Sequence, residues 1–121
     1  MRKPNVHTLT LLFSLMFGVS SQAETVRASW YGGNSKERLS THTASGQRFN
    51  SSALTAAHRS LPFGTRLQVT NISNHRSTIV TVNDRGPAAW TGRSLDLSKA
   101  AAAQIGMLGS GIAKVSIEQV K

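Results

Sequence analysis

The chain carries five acidic side chains, Glu24, Glu37, Asp84, Asp96 and Glu118, and any reaction that needs a carboxylic acid must draw on them. Asp84 has the best local setting. The β-branched run Thr78-Ile79-Val80-Thr81-Val82 reads as a strand and drives into Asn83-Asp84-Arg85-Gly86-Pro87, where Gly and Pro suit a turn. A carboxyl at the mouth of a buried strand can serve as a general acid; its bland counterpart is an aspartate that stabilises its own turn. Arg85 beside it could contact a substrate, or pair with Asp84 and lower its pKa, which works against an acid. Asp96, between Leu95 and Leu97, reads as support for a helix entrance and the core; Glu37 reads as surface. There is no cysteine, and the histidines are scattered without metal-ligand spacing, so no metal or cofactor is expected.

The elements that position Asp84 are short. Val26 to Tyr31 reads as a first strand, and residues 34–43 as a polar loop. Leu54 to His58 is a short strand or a single turn, and Leu61 to Thr65 a turn punctuated by Pro62 and Gly64. Arg66 to Thr70 alternates, with Leu67 and Val69 inward, and forms a hairpin with the strand ending at Asp84 through Ser73 to Arg76. Ala88 to Arg93 is a loop carrying Trp90. Ser98 N-caps a helix from Lys99 to Ile105 that stops at Gly106. A last strand, Ile112 to Val120, turns Ala113, Val115 and Ile117 to one face. Mostly strands with one brief helix in so small a chain predicts an all-β closed barrel, which leaves no free edges.

Residues 1–23 run from basic (Arg2, Lys3) through an apolar stretch to Ser21-Gln22-Ala23, the order of a secretory signal peptide. The apolar stretch is shorter than the ~20 residues of a permanent span. Export to the periplasm or cell wall is expected, with residues 24–121 as one soluble domain. Without cysteine the core must hold that domain unaided, and no lipid anchor is expected. The formal charge is +9, and +7 once Arg2 and Lys3 are lost, which favours encounters with anionic envelope polymers. No nucleic-acid-binding motif is present.

Seven blocks occur in one order: Ala28-Ser29-Trp30-Tyr31-Gly32, Thr43-Ala44-Ser45-Gly46, Leu54-Thr55-Ala56-Ala57-His58, Leu61-Pro62-Phe63-Gly64-Thr65, Val69-Thr70-Asn71, Asn83-Asp84-Arg85-Gly86-Pro87, and Gly92-Arg93 with Leu95-Asp96-Leu97-Ser98. Together they resemble the rare lipoprotein A family of endolytic peptidoglycan lytic transglycosylases over essentially all of residues 24–121. The resemblance implies a six-stranded double-psi β-barrel whose groove binds peptidoglycan glycan strands. Such enzymes cleave MurNAc-GlcNAc bonds, prefer strands free of stem peptides, and leave 1,6-anhydromuramic ends. It implies Asp84 as the catalytic residue and His58 as a substrate-orienting one. Where the family has a catalytic glutamate this chain has Gln47, an amide that cannot transfer protons but can hold a sugar hydroxyl or N-acetyl group. The segment between Tyr31 and Thr43 is longer than the resemblance leads one to expect and contains Glu37, and no glycan-binding repeat domain is expected.

The remaining candidates for substrate contact are Arg85, Tyr31 and Trp90, the aromatics as sugar-stacking platforms beside glycine-containing breaks. A monomeric enzyme is expected. Its rivals are a non-catalytic, expansin-like binding module, which Gln47 favours, and, third, a hydrolase of another polysaccharide. The exported protein is expected to begin at Glu24; N-terminal sequencing that finds Met1 on the exported form rules the leader out.

Overall fold

The computed structural model describes residues 22–31 and 42–121. The expected leader up to residue 21, and Glu37 with the rest of 32–41, lie outside the described residues. Six strands, β1 (Glu24–Trp30), β2 (Thr55–His58), β3 (Arg66–Asn71), β4 (Ser77–Asp84), β5 (Leu95–Leu97) and β6 (Ile112–Val120), close into a barrel in the order β1-β5-β2-β4-β3-β6. Two neighbour pairs are parallel, β1 with β5 and β2 with β4, and the others are antiparallel.

Alternation along the strands builds the interior. Val26 and Ala28 from β1, Leu67 and Val69 from β3, Val80 and Val82 from β4, and Val115 and Ile117 from β6 are buried in one cluster. The hairpin of β3 and β4 and the bounds of β6 agree with the pattern read from sequence. β1 starts two residues before the expected strand, because Glu24 and Thr25, though exposed, pair with Ile117 and Ser116 of β6. β5, only three residues long, is too short to show a period. It exists because β1 and β2 hydrogen-bond it from both sides, and Leu95 and Leu97 are fully buried.

A helix α1 (Lys99–Gln104) sits at the barrel end where β3 finishes and β4 begins. Ala101 and Ala102, with Ile105 and Met107 just past its end, join the core cluster. Its last carbonyls are satisfied by the β3–β4 hairpin. Asn71 Nδ2 and Asn74 Nδ2 donate to Ile105 O at 2.9 and 3.0 Å, and Arg76 Nη2 to Ala103 O at 3.3 Å. Gly106 follows at φ +72°, a conformation that calls for glycine, and a Cβ there would press on the side-chain end of Arg76 that binds the helix.

Ser98 ties the helix to the strands. Its Oγ accepts from Ala101 N at 3.2 Å as the N-cap and from Thr55 N at 3.4 Å, while its own N–H donates to Thr55 O at 2.9 Å. It is fully buried. Ser98→Ala is expected to lower stability by about 1–2 kcal/mol, seen in denaturant titration and as a melting point several degrees lower. An unchanged melting point would show that neither bond matters.

Candidate active site

Asp84 ends β4 at the barrel rim opposite α1. Strict alternation from Val80 and Val82 would turn its side chain into the barrel. The pairing with β2 prevents that: Thr55 faces Thr81 and Ala56 faces Val82, but Ala57 faces Asp84, so Asn83 is an extra residue that bulges the strand. Asp84 therefore shares the outer face with Ala57. The same face continues across the sheet, because Ala57 pairs with Asp96 of β5 and Asp96 with Ser29 of β1.

The result is a row across the barrel wall, Ser29, Asp96, Ala57, Asp84. Its two carboxylates flank an alanine methyl, at strand positions about 10 Å apart. Sequence reading gave Asp96 a purely structural role; only its register reveals that it faces the same surface as Asp84. Asp96 Oδ1 accepts from Ser29 Oγ at 2.8 Å, and the Ser29 hydroxyl in turn accepts from the Arg93 guanidinium. Asp84 is held differently. Its Oδ1 accepts two main-chain N–H bonds, from Ala44 at 2.8 Å and Arg85 at 2.9 Å, and its Oδ2 takes none among the described residues. One oxygen fixes the carboxyl, and the other is not engaged by the described residues.

The segment 43–50 frames one side of this face. Ser45 N donates to Asn83 O at 3.2 Å, and Asn83 Nδ2 donates to Gln47 Oε1 at 3.1 Å. Gln47 is exposed and lines an open depression of about 410 Å³ with Arg48, Asn50, Ala53, Thr55 and Asn83. The Tyr31 ring is buried and packs 5.0 Å from Phe49, so it supports this wall rather than offering a free stacking face. Trp90 does offer one. It is 88% exposed on a 3₁₀ turn (Ala89–Thr91) between β4 and β5. Arg59 braces that loop by donating to Pro87 O and Arg93 O.

Arg85 does not put its guanidinium on Asp84. Nη1 donates to Leu61 O at 2.9 Å and His58 O at 3.3 Å, and the group lies 4.0 Å from the Phe63 ring centroid. Of the two roles open from sequence, pairing with the acid is thus replaced by anchoring of the Leu61–Thr65 turn. The His58 imidazole is also turned elsewhere. It lines a separate cavity at the barrel mouth with Glu24, Leu61, Leu67, Ile117 and Glu118, and its Nδ1 accepts from Ser60 N and Leu61 N, both at 3.1 Å. Those bonds require an unprotonated Nδ1, so the neutral ring carries its proton on Nε2.

Burial, then the Arg59 charge, lower the His58 pKa from 6.5, with Arg85 adding to the effect and Glu24 opposing it. The folded state thus prefers the neutral ring. As pH falls below 6.5 the unfolded chain takes up this proton first, and stability is lost down through the folded value. Denaturant titrations at pH 7.5 and pH 5.5 are expected to show that loss, smaller in His58→Gln. Equal losses would mean that other groups cause it.

Residues 23–117 match the model of a family described as lytic transglycolase. A protein of Nostoc sp. named "Probable endolytic peptidoglycan transglycosylase RlpA" is 62% identical over 76 residues, 63% of this chain and 20% of that one. The "Endolytic peptidoglycan transglycosylase RlpA" of Neisseria meningitidis is 45% identical over 102 residues, 84% of this chain and 41% of its own length. The chain thus spans less than half the length of these relatives. Among solved structures, the Streptomyces papain inhibitor superposes with a TM-score of 0.64 at 22% identity, covering 83% of this chain and 96% of its own; it shows the shared fold. The Clavibacter michiganensis expansin superposes with a TM-score of 0.61 at 25% identity, covering 83% of this chain and 51% of its own.

Proposed function

Because the chain belongs to the lytic transglycolase family, we propose that it cuts MurNAc-GlcNAc bonds inside peptidoglycan glycan strands with Asp84 as acid and base. The observation that carries this reading is the carboxyl of Asp84, fixed through Oδ1 by two main-chain donors with Oδ2 open on an outward face. In the reaction the protonated carboxyl gives its proton to the glycosidic oxygen as the C1–O bond breaks. The muramic C6 hydroxyl then bonds to C1 and returns its proton to the carboxylate. No water is consumed, and the products are a 1,6-anhydromuramic end and a free N-acetylglucosamine 4-hydroxyl. An internal nucleophile has the advantage of proximity, so one carboxyl suffices.

Gln47 is within reach of substrate but transfers no proton. The exposed ring of Trp90 is suited to stacking on a sugar face, and Arg85 stiffens the rim. Peptidoglycan lies outside the cytoplasmic membrane, so the protein acts there; no helix of the described residues is long and apolar enough to cross a membrane.

The second reading, an expansin-like module that binds strands without cutting them, is favoured by the amide of Gln47 and by the likeness to an expansin. Mass spectrometry of denuded glycan strands treated with residues 24–121 separates the two. Anhydromuramyl products are expected from wild type, to fall at least about 100-fold in Asp84→Asn and to rise in Gln47→Glu. Binding without products points to the module, and full activity in Asp84→Asn removes Asp84 from the chemistry.

A further inference from the structure

Arg85 follows Asp84 directly, and its main-chain N–H is one of the two donors on Asp84 Oδ1. The carboxyl thus lies at the root of the Arg85 side chain, whose flexible stem is long enough to fold back onto it. A guanidinium placed there would grip the carboxylate and favour the ionised acid. It is held away instead. Nη1 donates to Leu61 O and His58 O, and the group rests on the Phe63 ring. Phe63 is 41% exposed and stands outside the core cluster, so filling the barrel does not account for an aromatic ring at this position. Its contact with the guanidinium does.

The turn that receives this charge is fixed at both ends. Before it, His58 Nδ1 accepts from Ser60 N and Leu61 N. After it, Gly64 N donates to Val82 O and Val82 N to Thr65 O, both at 2.8 Å, on the strand that carries Asp84. We propose that the turn is a latch in which Phe63 and the Leu61 carbonyl hold the Arg85 charge off Asp84. Phe63 is then a positioning residue for the acid, an inference that rests on the reading of Asp84 above. With the latch open, Arg85 pairs with Asp84 and the carboxylate is favoured. The proton for the glycosidic oxygen is then present only at lower pH.

Carbon-13 NMR of the Asp84 carboxyl, assigned with Asp84→Asn and followed through pH at low salt, reads the latch without substrate. In the wild-type background Arg85→Met is expected to move the curve little, because the charge is already held away. In Phe63→Ala the carboxyl is expected to titrate at lower pH, its proton affinity weaker by about threefold. Adding Arg85→Met to Phe63→Ala is expected to restore the wild-type curve. Phe63→Tyr keeps an aromatic face and should keep that curve, and Phe63→Leu replaces Phe63→Ala if the latter does not fold. Arg48, His58, Arg59, Arg93 and Asp96, the other charged or titratable groups of this rim, are unaltered throughout. The difference between single and double variants therefore belongs to Arg85.

The alkaline limb of the pH profile for cutting denuded glycan strands is expected to move with the carboxyl curve. A ring that mattered only for structure would lower the rate at every pH and leave the limb in place. An Asp84 curve in Phe63→Ala that matches wild type, or that Arg85→Met does not restore, overturns the latch. If wild type cuts no strands at any pH, the acid reading falls, and the carboxyl curves still decide whether the turn holds the charge.

Discussion

The parallel pairing of β2 with β4, bulged at Asn83, is the constraint on which the rest depends. A closed barrel fixes every strand from both sides, so one extra residue cannot be absorbed by a slipping edge. It is absorbed where β4 ends. The bulge reverses which face Asp84 presents, and the same residue hands its main-chain oxygen to Ser45 and its side chain to Gln47. One local irregularity thereby places the acid, docks the 43–50 segment and builds the wall of the depression beside it.

The cations nearest Asp84 in sequence do other work. Arg85 binds carbonyls of the Leu61 turn, Arg59 those of the loop carrying Trp90, and Arg93 supports Ser29. Arg59 reaches two segments at once, at Pro87 and at Arg93, which suits the several fixed donors of a guanidinium. The rim around Asp84 is thus braced by arginines that each donate through Nη1 to protein oxygens. This leaves the acid's orientation to neutral main-chain donors, which hold a carboxyl without adding a full positive charge beside it.

Much of the scaffold was legible in the residues. The alternation of Leu67 and Val69, the β-branched run into Asp84 and the Ser98 cap gave strands, hairpin and helix within one or two residues. β5 was not legible, since three residues carry no period and its existence comes from neighbours on both sides. The seven blocks identified the family because their order and spacing reflect one barrel.

What the sequence determined by itself was therefore the set of elements, the kinship and Asp84 as the acid with the best setting. These follow from local propensity, periodicity and motif. Tertiary structure alone decided that Asp96 faces the same surface as Asp84, that the His58 ring belongs to the barrel mouth, and that Arg85 reaches away from the acid. Each is a matter of register between strands distant in the chain. A single bulge inverts the face on which every later residue of a strand appears, and it becomes visible only once the partner strand is in place.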